Sequence, residues 1–380
     1  MLIMLRFGTI SYNIYGNFTN YGSALQTWAL HLAINKLGNG KWEAILVDYC
    51  PDILKDKDIL NPFGNLWDKD EEARTMCELS LPAIQENYKK FNYFYHDRFH
   101  RTKKKYTSSN FNDVVADEGL NGFICGSDTI FCIDEFGFDD GYYANYSCMK
   151  DKYTVSYAAS FGDSHFKAHN LLMLNQRLQN FKALGLREKF MLPYIKRHIH
   201  IPAQQVIDPT LLLTSETYDR IAAPRVELKP YILYYSRRYN PEVEKYVDQL
   251  SHTYGLKVIE ISLRAINANK HTMFYNAGVE EFLSLVKYAE FIVTNSYHGM
   301  IFSIQYKRPF ALFSREQCDN KNIELLKSLG LTNRLNAYDK DLYQYSIDYG
   351  EVYKKIAAKR KASLKFLEFE LSGYYDRSEC

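Results

Sequence analysis

Phe291-Ile292-Val293-Thr294-Asn295-Ser296-Tyr297-His298-Gly299 is an apolar β-run, closed by two helix-capping residues, that hands over to a helix with a histidine in its first turn. A strand that runs straight into a helix N-terminus is a βα unit of a parallel sheet. Such sheets bind ligands in the crevice beyond the strand C-termini. Free N–H groups and the positive end of the helix dipole favour an anion at that point, a phosphate above all. His298 stands where it can contact the anion or move a proton. Gly299 lets another backbone approach closely. A plainer account has Asn295 and Ser296 only capping the helix, with His298 a satisfied polar core residue, and the pattern alone does not decide between the two.

The same unit recurs on both sides of this stretch. Residues 231–235 and 257–261 read as strands and 240–254 as a helix. A second helix, over 278–289, sets Val279, Phe282, Leu283 and Val286 on one face. Residues 309–313 form a last strand. A long amphipathic helix over 351–371 then carries Val352, Ile356, Leu364, Leu367 and Leu371, with Gly373 as its stop. The first half alternates in the same way, with strands over 3–11, 43–48, 122–125 and 152–159, a short one up to Leu186, and a tip at Val206-Ile207. A helix from Tyr21 places Leu25, Trp28, Ala29 and Leu32 together, and others cover 165–182 and 189–197. Residues 52–118 are the least regular part, with a helix around 70–98 that Pro82 kinks or divides. Pro202, Pro209 and Pro224 punctuate the middle of the chain. The expected architecture is α/β, with two Rossmann-like domains facing a cleft. Residues 1–205 form the N-terminal one, on the acceptor side, and 206–345 the C-terminal one, on the donor side. Residues 346–380 form a helix free to pack back on the N-terminal domain.

Composition narrows the function. The 380 residues are 46% hydrophobic and 24% charged, which excludes a disordered chain or a coiled coil. Lys and Arg number 47 against 45 Asp and Glu, a net +2, so no bulk field recruits nucleic acid. The 32 Tyr and 23 Phe suit a surface that packs flat rings on sugars, although base bias in a genome raises Tyr equally well. Seven scattered Cys without a C-x-x-C pair support neither a zinc knuckle nor a disulfide framework, and a reducing cytoplasm is the expected setting. Met1–Arg6 enters a strand-like stretch without the features of a signal peptide, and no window approaches a membrane span. His96/His100 and His198/His200, the latter on one face of a strand, have the spacing of metal pairs. They lack a third ligand, so no metal is expected.

Five further turns follow strands. Asn20-Tyr21-Gly22-Ser23 is a strand–loop–helix turn resembling a phosphate- or sugar-binding one, but it is no P-loop. Gly126-Ser127-Asp128 would turn a hydroxyl and a carboxylate to the crevice, where Asp128 could act as a base, and a helix N-cap is the alternative. Arg187-Glu188 and Arg237-Arg238 offer guanidinium groups for a carboxylate or phosphate, with surface ion pairing as the alternative. Asp208-Pro209-Thr210 reads as a rigid turn at the domain junction.

Taken in order, Asn20–Gln26, Gly126–Asp128, Ser156–Gly162, Arg187-Glu188, Asp208–Leu213 and Asn295–Gly299 with Phe302-Ser303-Ile304 resemble the polysaccharide pyruvyltransferase family. The resemblance implies a fold similar to B-type glycosyltransferases. It also implies transfer of the pyruvyl group of phosphoenolpyruvate onto two hydroxyls of a sugar, giving a cyclic ketal and phosphate, with no cofactor. Carried over by motif, Arg187 and Ser296-Tyr297-His298 line the donor site; the chemistry of the reaction then makes His298 the candidate general acid or phosphate partner and Asp128 the candidate base toward the acceptor. The binding set is completed by Asn20, Gly22, Ser127, Asn295 and Arg237. One departure stands out: the family often has Arg where this chain has Ser296, so Arg237, Lys307 or Arg315 would have to replace that cation.

A B-type glycosyltransferase with a nucleotide-sugar donor is the competing reading, but 300–310 contains none of the acidic residues such enzymes place after the His-Gly pair. A catalytically dead carbohydrate-binding protein is a third, supported only by Ser296. The acceptor is a sugar, polymeric or lipid-linked. Its recognition is expected to fall to 52–118 and to Tyr88, Phe91, Tyr93, Phe94 and Tyr95. A lipid-linked acceptor would put the chain at the inner membrane face, where Arg101 and Lys103–Lys105 could help, although a solvated loop is the default for that run.

Overall fold

The computed structural model describes residues 4–61, 71–315 and 319–378, with the side chains of 71–74, 76, 77, 377 and 378 outside the description. Six strands make the first sheet: β1 (Leu5–Ile10), β2 (Trp42–Leu46), β3 (Gly122–Cys125), β4 (Tyr153–Ala159), β5 (Ala183–Leu186) and β6 (Ala203–Gln205). Their order is β2-β1-β3-β4-β5-β6, with every neighbouring pair parallel. Five make the second: β7 (Tyr231–Tyr235), β8 (Lys257–Ile261), β9 (Thr272–Met273), β10 (Phe291–Thr294) and β11 (Phe310–Leu312). These run β11-β10-β7-β8-β9, again all parallel. The reason is visible in the runs themselves: every residue of β3, β7 and β10 is buried, as strands covered on both faces by helices must be.

The direction in which successive strands are added reverses between β1 and β3 in the first sheet and between β7 and β10 in the second. These switch points open the crevices in which a doubly wound sheet receives its ligand. The longer helices are α1 (Tyr21–Gly38), α2 (Glu71–Asp97), α3 (Ala168–Leu178), α4 (Leu192–His198), α5 (Pro241–Tyr254), α6 (Val279–Tyr288), α7 (Tyr297–Gln305), α8 (Asp319–Leu329) and α9 (Tyr349–Ser378). The two halves meet through α1. The Tyr21 ring stacks on Phe282 at 4.5 Å and its hydroxyl donates to Ala277 O at 2.9 Å. Such a stacked pair adds about 0.5–1.5 kcal/mol to the area it buries.

α9 ties the second half back to the first. Val352, Ile356, Leu367 and Leu371 are buried along one face and Leu364 is partly so. Gly373 does not stop the helix, which runs on to Ser378. A Gly inside a helix costs about 0.5–1 kcal/mol relative to Ala, and packing outweighs that here. The Tyr374 ring stacks on Tyr153 at 4.8 Å and its hydroxyl donates to Asn121 O, while Tyr375 is buried near Trp42.

Other expectations are corrected by burial. α2 passes through Pro82 undivided. Phe91, Phe94 and Tyr95 do not face an acceptor: they are core, with Phe91 against Tyr21 and Tyr95 stacked on Phe99. Of the five aromatics proposed there, Tyr93 is the exposed one and Tyr88 is half-buried. His198 and His200 share no strand. His198 ends α4 against the Tyr194 ring and His200 follows with φ +60°. Met1–Ile3, residue 70, and the thiols of Cys77, Cys318 and Cys380 lie outside the described residues, whereas Cys50, Cys125, Cys132 and Cys148 are free. Among the described residues no helix is long and apolar enough to cross a membrane.

Candidate active site

Both switch points contribute to one site. After β1, the Asn20 side chain accepts the Ser23 N–H at 3.2 Å and starts α1. Ser23 Oγ then donates to Asp128 Oδ2 at 2.6 Å, beyond the end of β3. Asp128 has φ +75°, in the left-handed region that Asp tolerates better than most side chains, and its other oxygen accepts its neighbour Thr129 N at 2.9 Å. Burial alone would raise this carboxyl. The charges of Arg187, Lys321 and His298, together with the Ser23 hydrogen bond, bring it below the usual carboxylate range instead.

The turn at 208 does more than turn. Asp208 Oδ1 accepts from the backbone and hydroxyl of Thr210, which makes the rigid corner. Its Oδ2 lies 3.1 Å from Arg187 Nη2 and 3.3 Å from His298 Nε2. Burial works against the ionised form, but Arg187 and His298 hold it well below the usual carboxylate range. Arg187 is therefore not a surface residue paired with Glu188. It is 5% exposed, its Nη2 donates to Ser127 Oγ as well, and Ser127 Oγ itself donates to Ala158 O at 3.1 Å. Arg187 Nε and Nη1 are buried with no hydrogen-bond partner among the described residues. Glu188 also borders the site, but its carboxylate accepts from Ser160 Oγ at 2.6 Å and from Phe161 N.

The capping stretch after β10 keeps its local duties. Ser296 Oγ accepts the Gly299 N–H at 3.3 Å. Asn295 clips the end of β10 to the loop after β7: its Oδ1 accepts from Arg237 N, and its Nδ2 donates to Ser236 Oγ and Arg238 O. A Cβ on Gly299 would meet Thr294 Oγ1 at 2.4 Å, so only Gly lets α7 fold so tightly onto its strand. His298 is thereby placed facing α1, where Gly22 leaves room for its ring. The Tyr297 ring carries two cations, Arg187 at 5.2 Å and Lys321 at 5.4 Å.

Of the cations proposed to replace an arginine at 296, Lys307 sits over the Tyr353 ring and Arg237 over the Phe18 ring at 4.0 Å. Arg315 carries its backbone N–H to Asp319 Oδ1. The cation beside Tyr297 is Lys321, from α8, which no motif marked. A small cavity of about 30 Å³ lies beside this array, bounded among others by Arg187, Glu188, Asp208, Tyr297, Lys321 and Glu324. The structure thus joins Asp128, Ser127, Arg187 and His298, leaves Arg237 on the rim with Phe18, and adds Asp208 and Lys321. Asp208 was legible as a strand-end carboxylate but hidden by its Pro-containing turn; Lys321, inside a helix, carried no signal. Among the described residues no group of three His, Cys, Asp or Glu side chains could hold a metal ion. The arrangement can bind a multiply charged anion, and beside it a histidine oriented by a carboxylate can exchange a proton.

A family model described as polysaccharide pyruvyl transferase matches residues 20–317, most of the chain. No curated protein matches the sequence. Among solved structures, a Listeria monocytogenes protein described as a UDP-N-acetylglucosamine 2-epimerase superposes with a TM-score of 0.53, at 11% identity over 96% of this chain and 91% of that one. The UDP-GlcNAc 2-epimerase of Neisseria meningitidis, solved bound to UDP-GlcNAc, gives 0.50 at 10% identity over 97% and 100%. At such identity the likeness is one of fold, and it places the two sheets in the B-type glycosyltransferase architecture.

Proposed function

The chain belongs to the polysaccharide pyruvyl transferase family, and on that premise we propose that it moves the pyruvyl group of phosphoenolpyruvate onto two hydroxyls of one sugar in a polysaccharide or its precursor. The observation that carries this reading is the buried Arg187–Asp208–His298 array, in which two Arg187 nitrogens, Nε and Nη1, find no hydrogen-bond partner among the described residues. A buried guanidinium with free donors is costly unless an anion completes it, and phosphoenolpyruvate brings both a carboxylate and a phosphate.

The chemistry assigned to these residues is as follows. A proton adds to C3 of the enol, leaving an oxocarbenium-like centre at C2. One sugar hydroxyl attacks C2 and gives up its proton, the C2–O bond to phosphate breaks, and the second hydroxyl closes the ring with loss of its own proton. The products are the ketal and inorganic phosphate, with the two hydroxyl protons balancing the one added to C3 and the one taken by phosphate. His298 is the proton donor, to C3 or to the departing phosphate, and Asp208 positions it. Asp128 is the base toward the acceptor. Asn295 and Ser296 act by shaping the helix N-terminus, and Asn20 and Gly22 by shaping the facing one. No cofactor is assigned to the reaction. A lipid-linked acceptor would bring the chain to the inner membrane face, with the exposed Lys103–Lys105 run toward the lipid.

The direct test is a thermal-shift titration with phosphoenolpyruvate beside a panel of nucleotide-sugars. A ligand at ~100 times its dissociation constant stabilises the fold by about 2.7 kcal/mol. Stabilisation by phosphoenolpyruvate, followed by phosphate release with a diol sugar, is the expected result. Stabilisation by a nucleotide-sugar alone would overturn the reading in favour of a glycosyltransferase.

A further inference from the structure

Lys321 is 7% exposed, projects from α8 into the cavity shared with Arg187 and Tyr297, and makes no hydrogen bond or ion pair among the described residues. Asp128, Glu135 and Glu188 feel its charge, but none of them is in contact with it, and a buried ammonium that no group touches is expensive because water has been removed and nothing has taken its place. The neighbouring carboxylates are engaged elsewhere. Glu188 holds Ser160 and Phe161 N. Glu324 accepts from Gln205 Nε2 at 2.6 Å and from Lys189 N at 3.2 Å. Asp208 is taken by Arg187, His298 and Thr210. Two buried cations therefore border one cavity with unspent donors, both lying over the same Tyr297 ring.

We propose that Lys321 is a donor-binding residue, holding the phosphate of phosphoenolpyruvate together with Arg187. This rests on the function proposed above. The N-terminus of α7 carries no cation of its own, since Ser296 spends its hydroxyl on Gly299. A lysine from α8, which shares the Tyr297 ring with Arg187, supplies the missing charge. Its compact ammonium suits a phosphate as a point charge, while the planar Arg187 fork suits a carboxylate or a second pair of phosphate oxygens.

Lys321→Met tests this by isothermal titration with phosphoenolpyruvate and with inorganic phosphate, alongside steady-state kinetics. The expected result is a dissociation constant and a KM for phosphoenolpyruvate raised about 10- to 100-fold, the range a lost charged contact produces, with kcat within a few-fold. Lys321→Arg should recover most of the affinity. The ligand-free melting temperature of Lys321→Met should hold or rise, because a buried ammonium with no contacting partner has been removed; a merely structural lysine would lower it. Wild-type affinity for phosphoenolpyruvate in Lys321→Met overturns the proposal and leaves the pyruvyl donor standing. Conversely, a wild-type protein that binds phosphate but not phosphoenolpyruvate, and loses phosphate on Lys321→Met, sinks that donor while upholding Lys321 as the anion-binding cation. Binding of neither probe by the wild type overturns both.

Discussion

A Cβ atom on Gly22 would lie 2.0 Å from His298 Nδ1. The first turn of the first helix of one half thus serves as the floor on which the histidine of the other half rests. The side chain that Gly22 lacks is the space that the imidazole occupies.

Gly22→Ala should therefore act on His298 more than on the fold. The ring has to leave its place beside Asp208, so kcat is expected to fall at least tenfold. The overpacking penalty should be about 1–3 kcal/mol. Steady-state kinetics and a thermal melt on the same preparation check both numbers; unchanged kcat would mean that His298 does not need this position.

His298→Ala removes the proton carrier and leaves Arg187 and Lys321 in place. The rate should drop about 10²–10⁴-fold, with affinity for phosphoenolpyruvate changing much less than kcat. Near wild-type turnover in a folded variant would remove His298 from the mechanism.

Asp208→Asn strips the carboxylate shared by Arg187 and His298, which the structure holds at 3.1 and 3.3 Å. Breaking a buried pair in this way costs about 3–5 kcal/mol. The sign with pH follows from the depressed carboxyl. Its stabilisation is fully present above the unfolded value of about 3.9 and is lost as pH falls toward the folded one. Urea unfolding should show a wild-type-minus-variant gap that is flat from pH 5 to 7 and narrows below about pH 4.

Asp128→Asn keeps the hydrogen bond from Ser23 but abolishes the charge, and with it the proposed base. Phosphoenolpyruvate binding should hold or tighten, since a negative charge leaves an anion site, while kcat falls by at least tenfold. Loss of donor affinity instead would show that Asp128 organises the cations rather than serving the acceptor.

The α/β alternation and nearly every strand were legible because hydrophobic period and capping are local properties. The stretch 291–299 shows this, since Ser296 and Gly299 fold there as their chemistry dictates. Helix ends were less legible. Gly373 carries a stop signal, yet Tyr374 and Tyr375 find partners on the first sheet, and their packing carries the helix through. Phe91, Phe94 and Tyr95 misled for a related reason: an aromatic run looks the same whether it faces a sugar or a core.

The sequence by itself determined the two parallel sheets, the helix N-terminus that presents His298, and the set of strand-end residues from which the site is drawn. Only the tertiary structure decided that Asp208 faces Arg187 and His298, that Gly22 is the seat of the imidazole, and that a lysine inside α8 borders the cavity. Strand and helix follow from neighbours a few positions apart. A charge array follows from which distant turns two sheets bring together, and at which face each is buried.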